Sequence, residues 1–175
     1  MTRVAAIDCG TNSIRLLVAD GETKGEHVIL NDLTRQMRIV RLGQGVDRTG
    51  RLAPEAIERT LAAVREYKRM IDNLGATDIR FVSTSAMRDA ENRQDFIEPV
   101  KELLGVYPEV VPGTEEAALS FAGAASSVHA YDRGKVLVVD IGGGSTEMVV
   151  GTLGKGVDAA YSADMGSVRV TEKFF

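Results

Sequence analysis

Cysteine occurs once in this chain, at Cys9, so no disulfide can close within it and a reducing compartment is the simplest expectation. A basic excess is missing as well. The net charge is −4, which argues against a general nucleic-acid binder. No stretch approaches the ~20 apolar residues needed to cross a bilayer. The amino terminus enters a short strand at once, without the basic flank and apolar run of a signal peptide. The only histidines, His27 and His129, have no metal-ligand spacing around them and receive no role. These absences describe a soluble, cytoplasmic protein with neither a nucleic-acid nor a membrane partner. Its 175 residues, 44% hydrophobic, suffice for one sizeable core or two small ones.

What the chain does have is two glycine-rich turns, each directly after an apolar strand. The first is Asp8-Cys9-Gly10-Thr11-Asn12-Ser13, following Val4 to Ile7. The second is Asp140-Ile141-Gly142-Gly143-Gly144-Ser145-Thr146-Glu147, following Val136-Leu137-Val138-Val139. Glycine lets backbone N–H groups approach an anion closely. Hydroxyls at Thr11, Ser13, Ser145 and Thr146 offer further donors, and the aspartate ending each strand can hold a cation. The same Asp-x-Gly start in two copies suggests a duplicated fold that clamps a phosphate chain between its halves.

The pattern between the turns is α/β. Arg3–Asp8 and Ile14–Asp20 read as strands, and Glu26–Asn31 and Met37–Leu42 continue the sheet, one of them at an edge. A helix spans Pro54–Leu74, with proline at its first position and Gly75 as its stop. Strand Ile79–Ser85, helix Asn92–Leu104 (kinked or shortened by Pro99), strand Val106–Val111 and a helix from Glu115 to Ala125, capped by Thr114, complete a first unit over residues 1–126. After a loop at His129–Gly134 the pattern restarts over residues 134–175. Strands at Lys135–Ile141, Glu147–Thr152 and Val157–Ser162 lead to a helix near Ser167. The second unit is expected to be truncated in mid-element.

With both turns placed, the chain resembles the exopolyphosphatase and guanosine pentaphosphate phosphohydrolase family of the sugar kinase, Hsp70 and actin superfamily. The residues that carry the resemblance are the two turns, Ser83-Thr84-Ser85-Ala86-Met87-Arg88, Gly113-Thr114-Glu115-Glu116-Ala117 and Met165-Gly166-Ser167. It implies an actin-like, ribonuclease H-like fold with one complete unit and the start of a second. It also implies release of terminal orthophosphate from inorganic polyphosphate or from guanosine pentaphosphate, the stringent-response nucleotide. A small-molecule kinase of the same superfamily and a non-catalytic polyphosphate or nucleotide binder stand as alternatives. Cys9 departs from the aliphatic residue usual in the family, and family members continue well past Phe175.

Site residues follow from the resemblance and from local chemistry together. Glu115 and Glu116 open a helix, where carboxylates ordinarily offset the helix dipole; the position matching the family's catalytic glutamate is Glu116, a base for the attacking water. Asp140 and Glu147 flank a tight turn and suit Mg²⁺ or another divalent cation, with Asp8 as a contributor through water. Gly10, Thr11, Asn12, Ser13, Gly142, Gly143, Gly144, Ser145 and Thr146 are the expected phosphate contacts. Arg88 is expected to act with Glu116 in catalysis, clamping phosphate oxygens. Arg35, Arg38, Arg41, Arg48 and Arg51 form either a solvated edge or a track for a polyanionic phosphate substrate. A homodimer is the oligomer left open.

Overall fold

The computed structural model describes residues 2–24, 27–127 and 134–175. The chain divides into two compact units, Met1–Val110 and Val111–Phe175.

In the first unit, apolar residues alternate along β1 (Thr2–Cys9) and β2 (Ser13–Lys24) so that one face of each strand is buried. Ala5, Ile7, Cys9, Ile14, Leu16 and Val18 form that face. The sheet is completed by β3 (His27–Ile39), β4 (Asp78–Ser83) and β5 (Glu109–Val110), in the order β3-β2-β1-β4-β5. The first three strands are antiparallel neighbours, whereas β4 and β5 run parallel to β1. Two short helices, α1 (Val46–Thr49) and α3 (Ser85–Asp89), went unexpected. The long helix α2 (Pro54–Leu74) begins at proline and ends at Gly75, whose φ of 71° few other residues accept. It buries Leu61, Val64, Tyr67 and Ile71 in the core that also holds the sheet's apolar face. The Tyr67 hydroxyl donates to the Ile14 carbonyl at 3.0 Å, which satisfies the one polar atom of a fully buried ring. Helix α4 (Gln94–Leu104) packs on α2 and runs through Pro99 without a break. This is the α/β, actin-like fold.

Two strands expected over residues 26–42 are one long strand. A bulge allows it: Val18 pairs with Thr34 and Ala19 with Asp32, so Leu33 has no partner. The shift puts Asp32 and Arg35 on one face, where they form an ion pair at 2.9 Å. The expected start at Glu26 lies outside the described residues, as does most of the loop expected at His129–Gly134.

The second unit contains α5 (Gly113–Ser127), an antiparallel sheet of β6 (Lys135–Ile141), β7 (Thr146–Thr152) and β8 (Gly156–Ala163), and α6 (Ser167–Phe174). These three strands repeat the β1-β2-β3 meander. Ala117 and Phe121 of α5 pack on Val149, with Val136 and Val138 around them. Gly151 must be glycine here, because a Cβ would strike the Phe121 ring. The opposite face of the sheet leaves Leu137, Val139, Ile141 and Tyr161 exposed.

This packing corrects the expected division at residue 126. The helix bearing Glu116 belongs with the second sheet, because its apolar stripe matches the β6–β7 face. Among the described residues, no helix is long and apolar enough to cross a membrane.

Candidate functional site

The two glycine turns fold alike. In the first, the Gly10 amide donates to the Ser13 carbonyl at 2.9 Å; in the second, Gly142 donates to Ser145 at 2.9 Å. The Thr11 and Asn12 carbonyls of the first turn are held from behind. Val40 and Arg41 donate to Asn12, at 3.0 and 2.9 Å, and Gly43 donates to Thr11 at 2.9 Å. Gly43 lies so close that a Cβ there would collide with the Thr11 side chain. Arg41 adopts a left-handed backbone, φ 48°, which is uncommon for a residue other than glycine.

The second turn is backed by the start of α6. Ser167 donates to Gly142 at 2.9 Å, and Val168 and Arg169 to Gly143, at 2.8 and 3.1 Å. The Arg169 guanidinium donates to the Gly144 carbonyl at 2.9 Å. A Cβ on Gly166 would run into the Gly143–Gly144 backbone. With the carbonyls anchored, the central amides of Thr11, Asn12, Gly143 and Gly144 donate to no acceptor among the described residues. Adjacent amides left without an acceptor in a tight turn are the kind of group that can cradle an anion.

The turn hydroxyls are less available than their sequence suggests. Thr11 Oγ1 shares a hydrogen bond of 2.8 Å with Ser85 Oγ, and both residues are buried. Thr146 donates to the Met165 carbonyl, and Ser145 is also buried. Ser13 is half-buried.

The carboxylates gather in the second unit. Asp140, Glu147 and Ser162 are consecutive cross-strand partners on β6, β7 and β8. Ser162 donates to Glu147 Oε1 at 2.7 Å, and Ser120 on α5 donates to Asp140 Oδ2. Glu147 is 1% exposed. Among the described residues, neither carboxylate is ion-paired with a lysine, arginine or histidine. Glu116 lies one helical turn before Ser120 and is half-buried, whereas Glu115 is exposed.

The same register position in the first unit holds a different pair. Asp8 faces Arg15 across β1 and β2, and the two form an ion pair at 3.3 Å. Asp8 therefore has its own cation, and the sequence symmetry that grouped it with Asp140 breaks at the facing residue. Arg88 lies in α3, directly beyond β4, and is half-buried.

The arginine-rich stretch is largely neutralised. Arg35 pairs with Asp32, Arg38 grips Glu66 of α2 at 2.6 Å, and Arg51 lies 3.7 Å from Glu91. Arg15, Ser120, Ser162 and Arg169 escaped the sequence reading. The first three depend on which residues meet across strands or beneath a helix, and no local motif announces them. Arg169 follows Met165-Gly166-Ser167 closely, so that motif was the available signal.

Residues 18–175 match the model of the Ppx/GppA phosphatase family. The chain belongs to this family. Exopolyphosphatase 2 of Mycobacterium tuberculosis is 51% identical to it over 181 aligned residues, covering 99% of this chain and 55% of that protein. A Ppx/GppA family structure from Aquifex aeolicus is 38% identical, with a TM-score of 0.78, covering 99% of this chain and 55% of the other. An exopolyphosphatase structure from Cytophaga hutchinsonii is 29% identical, with a TM-score of 0.88, covering 99% and 54% respectively. The chain thus spans about half the length of the Ppx/GppA relatives it matches.

Proposed function

We propose that this chain serves phosphoanhydride hydrolysis, releasing terminal orthophosphate from inorganic polyphosphate or guanosine pentaphosphate in the cytoplasm. The observation that carries the reading is the pair of turns with identical closure, each presenting two adjacent amides without an acceptor among the described residues. Preorganised amides suit phosphate oxygens because they need no reorganisation as charge develops. Positioning and electrostatics supply most of the catalysis in phosphoryl transfer. Glu116, at the start of α5 and half-buried, takes the proton of the attacking water, and Arg88 steadies a phosphate oxygen.

Asp140 and Glu147 fit a hard divalent cation such as Mg²⁺. Both are oxygen donors, they adjoin across the strands, and among the described residues they have no basic partner despite the burial of Glu147. Among the described residues, no three His, Cys, Asp or Glu side chains converge on one point. Two carboxylates accord with Mg²⁺, which completes its shell with water and substrate oxygens. When bound, such an ion would neutralise developing charge on the phosphoryl oxygens.

The test measures phosphate release side by side on polyphosphate, guanosine pentaphosphate and ATP, with and without chelator. Release from one of the first two, abolished by chelation, is the expected result. Transfer from ATP to a small acceptor without that release would instead identify a kinase. Binding of polyphosphate without release would identify a sensor.

A further inference from the structure

Ser120 occupies a place that neither the glycine turns nor the carboxylate pair explains. It lies on the sheet-facing side of α5, one turn after Glu116, and its hydroxyl donates to Asp140 Oδ2. It is the described contact through which the helix carrying the proposed base reaches the carboxylate pair. We propose that Ser120 is a positioning residue, fixing the Asp140 carboxylate for the cation and tying the proposed base helix to that ligand. The inference rests on the metal reading of Asp140 given above.

Three observations support it. First, Asp140 is otherwise weakly held. It is the last but one residue of β6, just before a glycine turn, it has no lysine, arginine or histidine partner among the described residues, and Ser120 restrains one of its two oxygens. A free carboxylate rotates about its last bond, so a single donor on Oδ2 selects the orientation of Oδ1. Second, the arrangement is duplicated next door: Ser162 holds Glu147 Oε1 at 2.7 Å. Each carboxylate of the pair therefore has one oxygen on a serine, leaving its other oxygen to meet an ion. Outer hydrogen bonds of this kind orient metal ligands and tune their affinity. Third, α5 is seated too closely for the contact to be incidental. A Cβ on Gly113 would lie 2.6 Å from Ser162 Oγ, and Ala117 and Phe121 are buried on either side of Ser120. The helix cannot slide without losing the Ser120–Asp140 contact and the close fit of Gly113 against Ser162.

Ser120→Ala removes the hydroxyl with little change of shape. It should weaken divalent-ion affinity about 10-fold. The direct readout is Mn²⁺ binding followed by electron paramagnetic resonance, and the Mg²⁺ concentration for half-maximal turnover should rise in parallel. Turnover at saturating Mg²⁺ should fall far less. Ser120→Thr keeps the hydroxyl and should restore affinity, which mere disruption of helix packing would not do. In an Asp140→Asn background, Ser120→Ala should add almost nothing, because the residue through which it acts is gone. Unchanged Mn²⁺ affinity in Ser120→Ala, with Asp140→Asn clearly weakened, would overturn the role of Ser120 and leave the metal reading intact. Unchanged affinity in Asp140→Asn itself would overturn the metal reading. Additive losses in the double variant would also exclude action through Asp140.

Discussion

Single side chains in this structure separate into those that close a hydrogen bond and those that conspicuously do not. Ser83 is fully buried, and its hydroxyl has no partner among the described residues. An orphaned buried hydroxyl costs about 1–3 kcal/mol of desolvation, so Ser83→Ala should be neutral or mildly stabilising in urea denaturation. A clear loss of stability would reveal a partner hidden from view. Cys9 is equally buried, and burial with the neighbouring Asp8 charge pushes its thiol well above the ordinary range. It should resist thiol-modifying reagents in the native state and react at once on unfolding. Glu116→Gln keeps the shape of the proposed base but removes the proton acceptor. It should lower turnover by ~10²–10⁴-fold with substrate binding preserved. Glu115→Gln, on the exposed side of the same turn, should change turnover little. The reverse ranking in a steady-state assay would move the base to Glu115.

Among the elements, the edge strand β3 shows what a linear reading can and cannot see. Its apolar and polar residues fall out of step at Leu33, which looks like a break between two strands. A bulge gives the same irregularity within one strand, and only pairing with β2 distinguishes them. The arginines of this segment look like a polyanion track for a similar reason. The partners of Arg38 and Arg51, Glu66 on α2 and Glu91, are distant in sequence, and even the nearby Asp32 reaches Arg35 only because of the bulge. By contrast, α2, the opening strands and both glycine turns were legible, because proline, glycine and hydrophobic period act locally. The assignment of α5 to the second sheet was not, because Ala117 and Phe121 select their sheet only in three dimensions.

The Arg38–Glu66 contact makes a pH-dependent link between β3 and α2. Its guanidinium hydrogen bond holds the Glu66 carboxyl below its ordinary 4.5. A depressed carboxyl stabilises the fold above that value and loses the contribution as pH falls through its folded-state value. Glu66→Gln should therefore flatten the stability profile on the acid side of pH 4.5, with its largest effect near neutrality. Solvent exposure and salt should keep the difference small. An unchanged acid limb in urea titrations against pH would remove the pair from any stabilising role.

Across the whole molecule, the two units differ in how much core they own. The first buries a continuous cluster from Ala5 to Leu104, whereas the second centres on Ala117, Phe121 and Val149. Hydrogen exchange should be slowest along β1, β2 and α2, and measurably faster along β6 and β7. Phe121→Ala should speed exchange across the second sheet and leave β1 and β2 unaffected; equal acceleration in both would mean that they open as one body.

The exchange of Arg15 for Glu147 at one register slot has a wider meaning. A meander used twice carries its own control experiment, since backbone, pairing and turn closure stay constant while one side chain changes sign. In one copy the aspartate faces an arginine; in the other it faces a glutamate, with no lysine, arginine or histidine paired to it among the described residues. New chemistry can enter such a repeated frame through a single codon, without disturbing a hydrogen bond of the ladder.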